Sequence, residues 1–198
     1  MLFLNGVIFV THATPKGIIL FGSPGSGTTT LGKELAKQLT YPHFDLDDIH
    51  WRWDTEIPYT IYHSKDERIK LTKNAIDGHK NFIMSGSMWS IRKTFEPMFE
   101  MAIYVQASVE VRAERLRSRS LARWGSRVLK GGDMYEYHEA YRDYNITAQQ
   151  YDRDDSPQSY RKQHEQWVRE LPCPVLQIDG AKGISENIAF ILNQYDSI

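Results

Sequence analysis

The chain has a single cysteine in 198 residues, Cys173 between Pro172 and Pro174, so it has neither a disulfide framework nor a cysteine metal cluster. It also has almost no net charge: 24 Lys and Arg offset 25 Asp and Glu, leaving −1 at neutral pH. No global field draws it onto nucleic acid or a membrane surface, and neither is expected as a partner. Long apolar runs are missing too. Met1 to Val10 is apolar apart from Asn5, but it lacks a basic flank and is too short to span a bilayer. A cytoplasmic location is therefore expected. Repeats and low-complexity linkers are absent. The nearest thing to a break, Asp152-Arg153-Asp154-Asp155-Ser156-Pro157, reads as a joint between two helices.

What is present alternates. Apolar, strand-like runs at 17–22, 42–46, 81–86, 101–107 and 174–179 lack clean in–out alternation, as strands buried on both faces do. Helical spacing fills the gaps at 28–40, 65–79, 108–120, about 134–151, about 159–171 and 184–195. This order predicts an α/β fold, a parallel sheet with helices on both faces, in one domain from residue 16 to 198. Residues 1–15 read as an extension that can add an edge strand or a sticky patch. Ligands of such sheets sit beyond the carboxyl ends of the strands, which directs attention to the segments following each strand.

The first of these segments is Gly22-Ser23-Pro24-Gly25-Ser26-Gly27-Thr28-Thr29-Thr30, between a strand-like run and a helix with Leu31, Leu35 and Leu39 on one face. It could be a Gly/Ser/Thr turn that happens to precede a helix. In this context, however, it fits the phosphate-binding loop G-x-x-x-x-G-K-[ST] at every fixed position but one. The glycines allow inward-facing N–H groups, the helix N-terminus adds its dipole, and the Thr29 hydroxyl stands in the magnesium-ligand position. The lysine is missing, and Thr28 replaces it. The anion cradle survives, while the point charge for the β/γ-phosphates is gone.

The second segment, Phe44 to Trp53, holds Asp45, Asp47 and Asp48 with His50, Trp51, Arg52 and Trp53. Its carboxylates suit a magnesium shell or a base that takes a hydroxyl proton, although Asp47 or Asp48 could instead cap a helical turn starting at Ile49. The third, Ser85-Gly86-Ser87-Met88-Trp89-Ser90-Ile91-Arg92, offers hydroxyls, a glycine and an arginine whose planar fork suits an anionic acceptor or simply the surface. Further on, no acidic residue lies between Glu114 and Asp133, yet Arg115, Arg117, Arg119, Arg123, Arg127 and Lys130 do. Four of these recur at every fourth position and share one helix face, either an ordinary solvated face or a cationic lid. Trp51, Trp53, Tyr59, Tyr62 and Trp89 suit stacking against a flat ring or a small secondary core. His50 and His63 have no ligand-like spacing.

A phosphate loop followed about fifteen residues later by Phe44-Asp45-x-Asp47 resembles the P-loop small-molecule and nucleotide kinases of the shikimate, gluconate and adenylate kinase type, from Lys16 to the C-terminus. The resemblance implies a three-layer fold whose five parallel strands lie in the order 2-3-1-4-5, with a lid at about 117–133. It implies ATP and Mg2+ as cofactors and a small-molecule acceptor. Asp45 would work beside magnesium with Thr29, and Asp47 would contact the acceptor with Trp51, Arg52, Gly86, Ser87 and Arg92. The lid arginines Arg119 and Arg123 would close over phosphates, and Gly180 and Ala181, after the last strand, would border the nucleotide together with Gly22 and Pro24 to Thr30. A kinase is thus expected. The alternative, raised by Thr28, is a regulatory nucleotide-binding module without transfer activity.

Overall fold

The structure is a computed structural model. It describes residues 15–55, 61–135, 150–153 and 160–197, with the backbone of Phe3–Leu4 and Val7–Ile8. Its organising fact is the double burial of the strand Lys16–Gly22 (β1), in which Ile18, Ile19, Leu20 and Phe21 are all 0% exposed. Successive side chains of a strand point to opposite faces, so β1 feeds two separate cores. Ile19 and Phe21 join Phe82, Met84, Phe95, Tyr104 and Trp167 on one face. Ile18 and Leu20 join Leu31, Leu35, Ile83, Ile103, Val105, Ile188 and Ile191 on the other. Such a sheet must be covered on both sides, which makes three layers.

The partners of β1 are Asn81–Ser85 (β3) and Phe99–Gln106 (β4), both parallel to it, with a register irregularity opposite Gly17 and Ile18. His43–Asp45 (β2) pairs with β3 and Val175–Asp179 (β5) pairs with β4, again in parallel. The order is 2-3-1-4-5, as the resemblance implies. Phe3–Leu4 and Val7–Ile8 form their own antiparallel ladder and add nothing to an edge of this sheet, a correction to one reading of the extension.

Thr28–Leu39 (α1) and Ile184–Tyr195 (α7) pack on the Ile18/Leu20 face. The other face is covered by Leu46–His50 (α2), Lys65–Ile76 (α3), Arg92–Phe95 (α4) and Tyr160–Glu170 (α6). A full capping box at Ser64 and Glu67 fixes the start of α3. Val109–Trp124 (α5) starts at a Ser108 cap and continues into a 3₁₀ turn over Gly125–Val128. Segment 117–133 is thus the last part of α5, that turn, and a loop closed by an Arg127–Asp133 ion pair at 2.8 Å. Most of the helix expected over about 134–151 lies outside the described residues, as does Tyr59. Among the described residues, no helix is long and apolar enough to cross a membrane.

Candidate active site

The phosphate-type loop is built by close main-chain packing. A Cβ on Gly22 would stand 2.1 Å from the Val105 carbonyl oxygen, so only glycine fits where β1 ends. Gly25 (φ +84°) and Gly27 (φ +110°) take left-handed conformations that an L side chain would strain. Gly27 is the N-cap of α1, and no side chain caps that helix. The Ser26 N–H turns back to the Ser23 carbonyl at 3.0 Å, whereas the N–H groups of Gly27, Thr28, Thr29 and Thr30 have no acceptor among the described residues. Those donors and the positive end of the α1 dipole form an anion cradle. Ser26 Oγ is fully buried and without a hydrogen-bond partner.

Two arginines of α5 hold this loop, and only one of them stood out in the sequence. Arg115 donates from Nη1 to the carbonyls of Gly25 (3.3 Å) and Ser26 (3.1 Å), and from Nη2 to the Gly180 carbonyl (2.9 Å). Arg112, 1% exposed, bonds the Ala107 carbonyl and pairs with Asp152. Its main chain leaves no space for a Cβ on Gly25. Gly180 lies against Ser26, where a Cβ would be 2.1 Å from the Ser26 oxygen, and its N–H donates to Gln106 at 2.7 Å. The adjoining Ala181 N–H is bound by the Asp179 carboxylate at 2.8 Å. Of the two residues expected beside the nucleotide, Gly180 packs directly on the loop and Ala181 follows it in the chain.

At the end of β2, Asp45 caps α2 by accepting the Asp47 N–H at 3.0 Å. Capping explains Asp45 rather than Asp47 or Asp48. The side chain of Asp47 reaches solvent but is crowded by protein around its carboxyl. That crowding, then the Asp45 charge, pushes its pKa above the ordinary carboxylate range, while the Trp51 indole and the Arg119 charge oppose the shift. Trp51 Nε1 donates to Asp47 Oδ1 at 3.2 Å. Arg119 lies on an exposed part of α5, and its charge is felt weakly at Asp47. Arg123 lies one turn further out on the same exposed face.

Trp51 stacks on Tyr62, with ring centroids 3.6 Å apart at 17°, and the two form an isolated antiparallel bridge. Arg68 lies over the Tyr62 ring, 5.2 Å from its centroid. Crowding, then the nearby Asp47 charge, pushes the Tyr62 hydroxyl up to about 12. The turn after β3 is set by Gly86 (φ +114°), whose N–H donates to the Leu20 carbonyl at 3.0 Å and brings the turn beside Leu46. The next residue, Ser87, has its Oγ 3.2 Å from His164 Nε2.

Two expected acceptor contacts are placed elsewhere. Arg52 is exposed and forks onto its neighbour Asp54 at 2.6 and 3.0 Å. Arg92 lies 3.6 Å from the Trp89 ring centroid, donates to the Trp89 carbonyl, and pairs with Glu170 at 3.2 Å and Glu96 at 3.5 Å. Near carboxylates pair with both guanidiniums, although the buried Arg92 Nε makes no hydrogen bond among the described residues, and Arg92 ties α4 to α6. Among the described residues, no three His, Cys, Asp or Glu side chains converge on a metal position. Thr29 and Asp45 are compatible with magnesium, which takes few protein ligands and keeps water and substrate phosphate oxygens.

Comparisons with known proteins agree with this fold. The family model for the AAA domain matches residues 18–127. The uncharacterized protein YqaC of Bacillus subtilis (strain 168) is 30% identical over 182 residues, which is 92% of this chain and 98% of that protein. Shikimate kinase from Acinetobacter baumannii, solved with shikimate, superposes with a TM-score of 0.53 at 17% identity over 93% of this chain and 94% of its own. Deoxyadenosine kinase from M. mycoides with bound dATP gives 0.52 at 17% identity, over 91% and 99% of the two chains. A gluconokinase from Sinorhizobium meliloti 1021 gives 0.50 at 16%, over 94% and 99%. The chain belongs to the AAA domain family and has the fold of the P-loop small-molecule and nucleotide kinases.

Proposed function

We propose that this chain is a phosphotransferase that passes the γ-phosphoryl group of ATP, in the presence of Mg2+, to an oxygen of a small acceptor. The observation that carries this reading is the combination of an open anion cradle at Gly27 to Thr30 with a carboxylate, Asp47, held by the Trp51 indole just beyond the end of β2. A module that only senses nucleotide needs the cradle but has no use for a carboxylate with a raised pKa beside it.

ATP phosphates would lie against the N–H groups of Gly27 to Thr30, with Gly22 and Pro24 to Ser26 shaping the wall. Gly180 and Ala181 border the same space. Asp47, held by Trp51, orients an acceptor hydroxyl and takes its proton as the acceptor oxygen bonds to the γ-phosphorus and the β–γ bridging bond breaks, releasing ADP. Arg119 neutralises equatorial phosphoryl charge, and Arg123 is placed to help when the lid closes. Thr29 and Asp45 would hold Mg2+, which neutralises phosphate charge when bound. Gly86 and Ser87 form the far wall of the acceptor space.

Thr28 favours a second reading, a nucleotide-binding regulatory module without transfer. Incubation with γ-labelled ATP and Mg2+ across a library of nucleosides, nucleotides and small hydroxy compounds separates the two. Label on an acceptor, lost in Asp47→Asn, supports the kinase. Nucleotide binding with no label on any acceptor supports the module.

A further inference from the structure

We propose that Arg115 supplies the fixed positive charge that the loop lost with its lysine, acting from the outer side of the loop as a positioning residue. This inference rests on the nucleotide-binding reading above. The geometry comes from the peptide unit itself. The C=O and N–H of a trans peptide point in opposite directions. Arg115 grips the carbonyl of Ser26 at 3.1 Å, so the N–H of Gly27, in the same peptide unit, points away from the guanidinium and toward the cradle. Each free donor beyond it, at Thr28 to Thr30, begins the helix that Gly27 caps.

A cation hydrogen-bonded to a peptide oxygen polarises that peptide, strengthening its N–H as a donor to an anion. The charge also acts directly through space: Nη1 lies 3.6 Å from the position of a Cβ on Gly27. No carboxylate pairs with Arg115 among the described residues, so its field is not cancelled nearby. Arg112 differs on this point, because Asp152 neutralises it. Arg119 lies one turn further along α5 on its exposed face. Arg115 is also fixed at three carbonyls in two loops, so it needs no reorganisation when phosphate arrives, unlike a lysine on a flexible stem.

The test is calorimetric binding of ATP, ADP and AMP with Mg2+ to the full chain, to Arg115→Gln, to Thr28→Lys and to the double variant. Glutamine retains hydrogen-bond donors for the carbonyls while removing the charge, and a thermal melt verifies folding. The expected result is roughly tenfold weaker ATP and ADP binding in Arg115→Gln, with AMP changed less than about threefold. Thr28→Lys should do little alone but recover most of the loss in the double variant, because both cations serve one purpose. Three results overturn the inference while leaving the nucleotide reading intact: unchanged ATP affinity in Arg115→Gln, equal loss for all three nucleotides, or the same gain from Thr28→Lys in both backgrounds. An unmodified chain that binds none of the nucleotides overturns both.

Discussion

The hydroxyl of Tyr151 lies 2.8 Å from Nδ1 of His164, inside the core between β4 and α6. The other ring nitrogen of His164 meets Ser87, and Tyr151 meets the Tyr104 hydroxyl at 2.9 Å. The residue after Tyr151 is Asp152, the partner of Arg112, whose main chain packs against Gly25. One polar thread therefore joins the turn after β3 to the back of the phosphate loop. Buried polar groups stabilise only while each keeps its partner.

Removing the middle of the thread should therefore cost stability without creating a large cavity. Tyr151→Phe leaves Nδ1 of His164 without its partner at a position where that ring is 3% exposed. The expected loss is about 1–3 kcal/mol. Urea unfolding monitored by tryptophan fluorescence gives the value, and a loss below about 0.5 kcal/mol would show that the bond contributes nothing net.

Acid should destabilise the fold in a defined window. Burial pulls both His164 and His50 from the ordinary 6.5 down to about 4, and the two are 3% and 2% exposed. The unfolded chain binds these protons more tightly than the folded one. Their contribution is complete above pH 6.5, declines as pH falls, and is gone below about 4. Each histidine should account for roughly 2 kcal/mol lost between pH 7.5 and pH 5. Urea midpoints at those two pH values measure the slope, which His164→Gln should reduce. An unchanged slope would mean that His164 takes up its proton as readily in the folded chain as in the unfolded one.

The contact of Gly180 with the phosphate loop predicts a coupled defect. Gly180→Ala places a Cβ 2.1 Å from the Ser26 carbonyl oxygen, so the loop must move. Stability should fall by about 1–3 kcal/mol and ADP affinity should fall with it. At Gly183 an added Cβ meets nothing within 4 Å, and Gly183→Ala should stay within about 1 kcal/mol of the parent with unchanged ADP affinity. Differential scanning calorimetry with and without ADP distinguishes the two variants.

Asp45 and Asp47 should separate by assay. Asparagine caps helices as well as aspartate does, so Asp45→Asn should leave stability within about 0.5 kcal/mol, while Asp45→Ala costs about 1 kcal/mol. Asp47→Asn should lower phosphoryl transfer by about 10²–10⁴-fold. It should not lower stability, because it relieves the repulsion with Asp45. Transfer rates at saturating ATP and chemical unfolding together check both expectations.

The sequence revealed the fold well because strands buried on two faces leave continuous apolar runs, such as Ile18 to Phe21, that short-range inspection can find. The glycines of the loop were legible for a similar reason, since their role is local. Partners were much less legible. Nothing in the spacing says that Arg92 pairs with Glu170, or Arg52 with Asp54, so both look available for an acceptor. Tyr151 and His164 are far from Ser87 in the chain, and a hydrogen bond across that distance leaves no periodic trace. Arg112 was overlooked because it precedes the acid-free stretch, although its place in the first turn of α5, after the end of β4, is a usable signal.

The supports of the phosphate loop all reach main-chain atoms: the carbonyls of Gly25, Ser26 and Gly180, and the closely packed backbone at Gly22 and Gly25. A scaffold of this kind does not register which side chains decorate the loop. Mutational drift at positions 24 or 28 can therefore change affinity and chemistry while the loop keeps its shape, whereas a single methyl group at Gly22, Gly25 or Gly180 disrupts it. A lineage built this way can lose a lysine without losing the loop that carried it.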